Sequence, residues 1–186
     1  MKKSEPDKNM MECLKERAEV LTEAIPYMRR FRGATIVIKY GGAAMVDERL
    51  RAGVISDIIL LGLVGMKPIL VHGGGPEISG MMSRLGMEPT FVKGLRVSDA
   101  ETVEVAQMVL VGKTNQAIVA EACHQGAKAV GLSGKDDALI LAHKKGGRGK
   151  AKADLGYVGE VEKINPELLE TLTGAGYLPV IAPGGM

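Results

Sequence analysis

The spacing of apolar and polar residues divides the chain into alternating helices and strands. Apolar residues recur every three or four positions over 11–28, 47–66 and 76–85, the period of a helix with one buried face. Short runs rich in β-branched residues lie at 35–38 and 69–71, and each leads into a glycine turn. This repeated order predicts an α/β chain in which a mainly parallel, doubly wound sheet carries helices on both faces, a three-layer αβα sandwich.

The second half of the chain continues this pattern. We expect a hairpin with its turn at Gly94, a helix capped by Ser98 or Asp99 and broken at Gly112, and a final helix opened by Asn165. Because no repeat or low-complexity linker occurs, we predict one domain with an N-terminal helical appendage. The other predicted segments are β-like residues at 88–97, a resumed helix at 115–124, a strand at 129–132, hairpin arms at 139–142 and 157–164, and a last strand at 178–182.

Residues 1–30 are predicted to form that appendage, and residues 1–9 are expected to be disordered. Pro26 removes a helical hydrogen bond and crowds the carbonyl group of Thr22, which predicts a kink. An apolar seam follows steps of three and four, with the charged residues mostly on other faces. Two interpretations stay open: the seam packs against its own domain, or it forms a contact between subunits. The seam consists of Met11, Leu14, Ala18, Leu21, Ile25 and Met28.

Composition narrows the class of protein. The 186 residues are 46% hydrophobic and carry a net charge of +2, which gives no support for nucleic acid or membrane as the main partner. Cys13 and Cys123 do not make a disulfide framework, so we expect a reducing, cytoplasmic location. The polar N-terminus does not have the pattern of a signal peptide. The basic tip at 143–154 is interpreted as a solvated loop, because no aromatic residues interleave with its charges.

The glycine turn after 69–71 is the strongest chemical signal. Gly73-Gly74-Gly75 leads into a helix that Pro76 is expected to open, so free main-chain amides would face an anion such as phosphate or carboxylate. Lys39 stands at the carboxyl end of the first strand, directly before Tyr40-Gly41-Gly42, where we expect a lysine to be badly placed for solvation. Both turns are expected at the carboxyl edge of the sheet. Amides and a fixed cation are what phosphoryl transfer needs.

The sequence does not match the familiar nucleotide-binding and metal-binding motifs. Gly112-Lys113-Thr114 ends like a P-loop, but Gln107 stands where its first glycine should be. Ile78 occupies the third glycine position of a dinucleotide fingerprint. The three histidines show no metal-ligand spacing with the cysteines, so each is interpreted as structural. Arg96 offers a planar fork suited to a carboxylate, although a surface arginine on a hairpin arm is equally compatible with the sequence.

Six segments between Lys39 and Pro183 carry a family resemblance, which covers Glu16 to about Pro183 in order and without large gaps. They are Lys39-Tyr40-Gly41-Gly42-Ala43-Ala44-Met45, Val71-His72-Gly73-Gly74-Gly75-Pro76-Glu77-Ile78, Gly94-Leu95-Arg96-Val97, Gly131-Leu132-Ser133-Gly134-Lys135-Asp136, Asp154-Leu155-Gly156-Tyr157-Val158-Gly159-Glu160-Val161 and Pro179-Val180-Ile181-Ala182-Pro183. Together they resemble the acetylglutamate kinases of the amino-acid kinase superfamily. Residues 16–31 also resemble the kinked N-terminal helix of the hexameric, arginine-inhibited branch.

The resemblance implies transfer of the γ-phosphoryl group of ATP to the side-chain carboxylate of N-acetyl-L-glutamate, the second step of arginine synthesis. It implies that Lys39 stabilises the transition state and that Arg96 holds the substrate α-carboxylate. Gly42 and Gly74 would donate amides to the phosphoryl group, with Gly41 beside them. Gly74 and Gly75 would line the substrate pocket. Mg²⁺ would arrive with ATP, and no protein ligand is assigned to it.

The chain also departs from the family pattern. The family continues well beyond 179–183, so residues 31–186 are expected to hold the substrate-binding half while most of the ATP site is absent, with little or no kinase activity. Asp137 stands where the family usually has glycine. Two alternatives stay open: a non-catalytic binding or oligomerisation module, and a kinase for aspartate, glutamate or carbamate. The resemblance further implies a homohexamer, an arginine effector and a signalling-protein partner.

Overall fold

A four-stranded parallel sheet forms the centre of the part of the chain that the structure, a computed structural model, describes: residues 8–42, 45, 47–144 and 155–186. The strands are β1 Thr35–Tyr40, β2 Lys67–His72, β3 Phe91–Val92, β4 Leu95–Arg96, β5 Ala129–Ser133, β6 Ile140–Lys144, β7 Gly159–Ile164 and β8 Leu178–Ala182. The strand order in the central sheet is β1-β2-β8-β5, and all three pairings are parallel.

Helices pack on both faces of this sheet, as predicted. The helices of the described chain are α1 Lys8–Phe31, α2 Glu48–Leu63, α3 Gly75–Arg84, α4 Ala100–Gln107, a π-helical segment Met108–Asn115, α5 Gln116–His124 and α6 Glu167–Gly174, with a 3-10 turn at Asp136–Ala138.

Alternation along the strands separates two apolar layers. Leu70 of β2 and Val180 of β8 are fully buried on one face, where they pack with residues of α2 and α5. Ile69 and Ile181, each one position away, point to the other face and pack with Leu169 of α6. A third cluster joins α3 to α4 and the π-helical segment. Because neighbouring side chains on a strand face opposite ways, each buried strand serves both layers and the αβα sandwich follows.

The helix around Gly112 differs from the prediction. We expected a break there, but the backbone stays helical from α4 through the π-helical segment into α5. Gly112 is exposed, and its φ is not in the left-handed region. A glycine weakens a helix by only about 1 kcal/mol, so packing of the flanking turns against α3 and the sheet is enough to carry the helix across it.

Both predicted hairpins are present. β3 and β4 pair antiparallel around Lys93 and Gly94, and Gly94 has the positive φ of +80° that a tight turn favours. β6 and β7 form the second hairpin. The residues at its tip, 145–154, lie outside the described residues, so the solvated-loop interpretation is not tested there.

Helix α1 begins at Lys8 and remains helical on both sides of Pro26. Nearly all of its side chains are exposed, including Leu14, Leu21 and Ile25 of the seam. The described chain therefore does not support packing of the seam against its own domain. Residues 1–7 lie outside the described residues, so the disorder expected for 1–9 is tested only at Lys8 and Asn9, which are helical. Among the described helices, none is long and apolar enough to cross a membrane.

Candidate active site at the carboxyl edge of the sheet

Two glycine turns leave adjacent strands at one edge of the sheet. The parallel register pairs Lys39 with Val71 and Tyr40 with His72, so β1 and β2 end side by side. The Gly73 amide donates to the carbonyl group of Tyr40 at 2.9 Å, which extends the pairing into the second turn. The turns after β1 and β2 therefore lie together at the carboxyl edge of the sheet, as predicted from the sequence.

Glycine suits these two turns for two different physical reasons. Gly42 has a φ of +66°, where residues with a side chain are disfavoured. Gly74 has an extended φ of 167°, which any residue can adopt. A Cβ at Gly74 would instead lie 2.6 Å from Cδ2 of Leu110, so a side chain there would require the Leu110 side chain of the π-helical segment to move.

The second turn opens a helix whose first amides have no side-chain cap. Gly74 is the N-cap residue of α3, Gly75 is the first helical residue, and Pro76 follows it. We expected Pro76 at the first helical position, and the helix begins one residue earlier. Free first-turn N–H groups and the positive end of the helix dipole favour an anion at this point.

Arg96 reaches from the β3–β4 hairpin to the start of α3. Its Nη2 donates to the carbonyl oxygen of Gly75 at 3.1 Å and to Oγ of Ser79 at 2.8 Å. Its guanidinium lies 4.7 Å from the centre of the Phe91 ring and donates to Sδ of Met82. Burial lowers the pKa of Arg96 from its ordinary value. The structure thus brings Arg96 to the start of α3 beside Gly75, where its guanidinium is held by contacts within the protein and is not that of a free surface arginine.

Lys39 lies one residue before the end of β1, with its side chain exposed. The expectation that it is badly placed for solvation is wrong. β1 is an edge strand, and the face that carries Thr35, Val37 and Lys39 is open to solvent. Lys39 therefore stands at the same sheet edge as Gly41 and Gly42, accessible to a ligand that binds there.

A buried polar cluster beneath the glycine turn was not predicted. His72 and Asn115 are each only 1% exposed, and Nδ2 of Asn115 lies 3.1 Å from Nε2 of His72. Nδ2 also donates to the carbonyl oxygen of Val180 at 2.8 Å. Burial lowers the pKa of His72, against smaller opposing effects of the Gly73 carbonyl group and the Glu77 carboxylate. Since the sequence places Asn115 43 residues from His72, local patterns give no signal for the pair.

Three further buried polar atoms near the turn have no hydrogen-bond partner among the described residues: Oε2 of Glu77, Oγ1 of Thr114 and Oδ1 of Asn115. The first two would lie 3.8 and 3.6 Å from a Cβ at Gly74. Unsatisfied polar atoms are rare in protein interiors, and they occur here beside the predicted anion site. In the described part of the chain, no group of three or more His, Cys, Asp or Glu side chains has the arrangement of a metal site.

Comparison with known proteins assigns the family. The model of the amino acid kinase family matches residues 34–186. The chain belongs to the amino acid kinase family. Curated relatives named acetylglutamate kinase are 58% identical in Symbiobacterium thermophilum and 53% identical in Carboxydothermus hydrogenoformans, over 92% and 94% of this chain. The same matches cover 59% and 61% of those relatives, so the chain spans about three fifths of their length.

Two solved structures share the fold of this chain. An N-acetylglutamate synthase from Neisseria gonorrhoeae, complexed with coenzyme A and N-acetyl-glutamate, superposes with a TM-score of 0.72 at 25% identity, over 89% of this chain and 37% of that one. A carbamate kinase from Giardia lamblia has a TM-score of 0.52 at 19% identity, over 82% and 57%. The second likeness concerns the fold alone.

Proposed function

We propose that this chain is the acceptor-binding part of an acetylglutamate kinase, which transfers the γ-phosphoryl group of ATP to the side-chain carboxylate of N-acetyl-L-glutamate. The observation that carries the proposal is Arg96 at the start of α3, in hydrogen-bond contact with the Gly75 carbonyl group. A carboxylate fork thus stands beside an amide-rich helix terminus, which suits an acceptor that has one carboxylate to hold and another to phosphorylate. The acetylglutamate kinases at 51–58% identity support the choice of acceptor.

Each candidate residue has a physical role in this proposal. Arg96 pairs with the α-carboxylate of the substrate, in place of its present contacts with Gly75 and Ser79. Gly42 and Gly74 donate main-chain N–H groups to oxygens of the transferred phosphoryl group. Lys39 supplies a positive charge as negative charge spreads over that group in the transition state. Gly75 lines the acceptor pocket, and Gly41 accompanies Gly42 on the phosphate side.

ATP with Mg²⁺ is the second substrate in this proposal. We propose that residues 31–186 form the acceptor-binding half and that most of the ATP-binding residues belong to a region outside these 186 residues. The curated relatives, of which this chain spans 59–61%, are long enough to contain such a region. The 186-residue chain is accordingly expected to bind the acceptor and to turn over little or none of it.

Calorimetry with N-acetyl-L-glutamate tests the proposal on the chain as it stands. We expect saturable binding, and we expect Arg96→Ala to weaken it about 10- to 100-fold, because one charge-assisted carboxylate contact is lost. Arg84→Ala, in the last turn of α3, is the matched control and should bind as the wild type does. Absence of saturable binding, or equal affinity of Arg96→Ala, would contradict the proposal.

The identity of the acceptor is tested separately in the full gene product that carries this sequence. N-acetyl-L-glutamate, aspartate, glutamate and carbamate are compared as phosphoryl acceptors with ATP and Mg²⁺. Turnover only with N-acetyl-L-glutamate supports the proposal. Turnover with another acceptor favours a different member of the superfamily, and acceptor binding with no turnover favours a non-catalytic module.

The assembly and setting of the enzyme complete the proposal. We propose that residues 1–30 act as an oligomerisation helix and that the chain forms a homohexamer through the exposed seam of α1, supported by apolar side chains such as Leu14 and Leu21 that meet solvent in one copy. An arginine effector and a signalling-protein partner are proposed on the resemblance alone. A cytoplasmic location is supported by the free, exposed thiols of Cys13 and Cys123.

A further inference from the structure

The π-helical segment brings two consecutive polar residues to the carboxyl edge of the sheet. In a regular α-helix neighbouring side chains point about 100° apart, yet Thr114 and Asn115 are both buried, at 7% and 1% exposure. A π-helical turn holds about one residue more than an α-helical turn, and such turns are frequent at functional sites. The wider turn directs Asn115 between β5 and β8, where its Nδ2 reaches carbonyl oxygens of both strands.

The hydrogen bonds of His72 determine which of its nitrogens carries the proton. Nδ1 lies 2.8 Å from the carbonyl oxygen of Gly73, and a carbonyl oxygen can only accept, so Nδ1 donates. Nε2 then accepts from Nδ2 of Asn115 at 3.1 Å. Nδ2 has two hydrogens, and its two shortest contacts, with His72 and Val180, use both. Asn115 therefore fixes the tautomer and the orientation of the His72 ring.

The neighbouring glycines fit around this pair. A Cβ at Gly131 of β5 would collide with Oδ1 of Asn115, so the absence of a side chain there gives Asn115 its space. Gly74 is likewise confined by Leu110 of the same π-helical segment. The π-helical segment therefore contacts the glycine turn directly through Leu110, and indirectly through the hydrogen bond of Asn115 to His72.

The ring of His72 sets the direction of one main-chain amide. The carbonyl group of Gly73 and the N–H group of Gly74 belong to the same peptide unit, and no peptide bond among the described residues is cis. In a trans peptide these two groups point in opposite directions. Because the buried ring holds the Gly73 carbonyl group, the Gly74 N–H points away from the ring.

We propose that His72 and Asn115 are positioning residues that hold the Gly73–Gly74 peptide so that the Gly74 N–H faces the phosphoryl group in transfer. This inference rests on the proposed function, since it assigns a role within that same site. Without the Nδ1 contact the peptide could rotate and present the Gly73 carbonyl oxygen to the phosphoryl group. A hydrogen-bond acceptor would then face the phosphate anion where a hydrogen-bond donor is needed. We therefore expect kcat to fall and the binding of N-acetyl-L-glutamate to stay the same.

Kinetics of the full gene product test the proposal. His72→Leu removes the donor to Gly73, and we expect kcat to fall about 10²- to 10³-fold, the usual loss of one such donor, while KM for N-acetyl-L-glutamate stays within about twofold. His72→Asn keeps an N–H near the position of Nδ1 and should recover kcat to within about tenfold of the wild type. His124→Leu, an exposed histidine in the last turn of α5, is the control and should leave kcat unchanged.

A second measurement needs neither activity nor a substituted chain. Long-range ¹H–¹⁵N spectra of the wild-type 186-residue chain report the tautomer of His72, and we expect the proton on Nδ1. A proton on Nε2, or equal loss of kcat in His72→Asn and His72→Leu, would overturn the proposal. Failure of the wild type to phosphorylate N-acetyl-L-glutamate would instead overturn the proposed function, which the spectra do not depend on.

Discussion

At the scale of single residues, the burial of His72 determines the charge of its imidazole ring. Its imidazole is nearly inaccessible to solvent, and desolvation lowers its pKa below the ordinary value of 6.5. The neutral ring satisfies both of its partners, because one nitrogen donates and the other accepts. A protonated ring would present two donors and would face the amide hydrogens of Asn115, so the folded state disfavours the charge.

This burial makes the stability of the chain depend on pH. Between the lowered folded pKa of His72 and 6.5, the unfolded chain binds more protons than the folded chain. The contribution of His72 to stability is therefore complete above pH 6.5 and is lost as the pH falls through that window. Urea unfolding measured from pH 7.5 to 5.0 should show this loss. His72→Asn should reduce the slope of the free energy of unfolding against pH, and His124→Asn is the control. Equal slopes in the wild type and both variants would contradict the prediction.

Residue patterns in the sequence indicated candidate site residues only where the signal is local. The glycine turns and Lys39 follow directly from strand ends, and Arg96 from its short hairpin. Asp137 stood out as a departure from glycine, and its φ of +50° shows that the position does lie in the left-handed region. The His72–Asn115 contact could not be predicted, because it requires β2, β8 and the π-helical segment to meet at one point.

At the scale of elements, the continuous helix around Gly112 shows how packing overrides a weak local signal. Gly112 has an ordinary helical conformation and open space where a Cβ would stand. Gly131 is the opposite case, since a Cβ would meet Oδ1 of Asn115 and the amide of Gln116. The two glycines look alike in the sequence, and only the assembled elements distinguish them.

Two alanine substitutions test this difference. Gly112→Ala should raise the free energy of unfolding by about 0.5–1 kcal/mol, because alanine restricts the unfolded chain and favours the helix. Gly131→Ala should lower it by about 1–3 kcal/mol, because Asn115 must shift and lose hydrogen bonds. Urea denaturation at pH 7.5 measures both. A destabilised Gly112→Ala would mean that the glycine serves the π-helical turn, and an unaffected Gly131→Ala would remove the steric argument.

At the scale of the whole molecule, the layered sheet was predictable and the surroundings of α1 were not. Buried strands alternate with amphipathic helices along the chain, so parallel pairing and two covered faces follow from the order of elements. The seam of α1 has the same periodicity as a core helix, and no pattern within it says which surface covers it. In the described chain its apolar side chains meet solvent.

The proposed assembly predicts the effect of charge on this seam. Leu14→Glu combined with Leu21→Glu should convert the oligomer to a smaller species, because two carboxylates would be buried in the subunit contact. Lys15→Glu with Thr22→Glu has the same seven-residue spacing on a polar part of the helix and should leave the mass unchanged. Light scattering of the purified chains measures the mass. An unchanged mass for the leucine variant would refute assembly through α1.

The exposure of α1 also has a mechanical consequence. Its 24 residues span about 36 Å at the usual rise of an α-helix. At its base, the Gly33 amide donates to the Gly65 carbonyl oxygen at 2.7 Å, and Gly33 and Gly65 both have positive φ. A swing of about 10° at this joint would displace the far end of α1 by about 6 Å. If α1 forms the proposed contact between subunits, the backbone angles at Gly33 and Gly65 would therefore determine where the outer end of α1 meets a second copy.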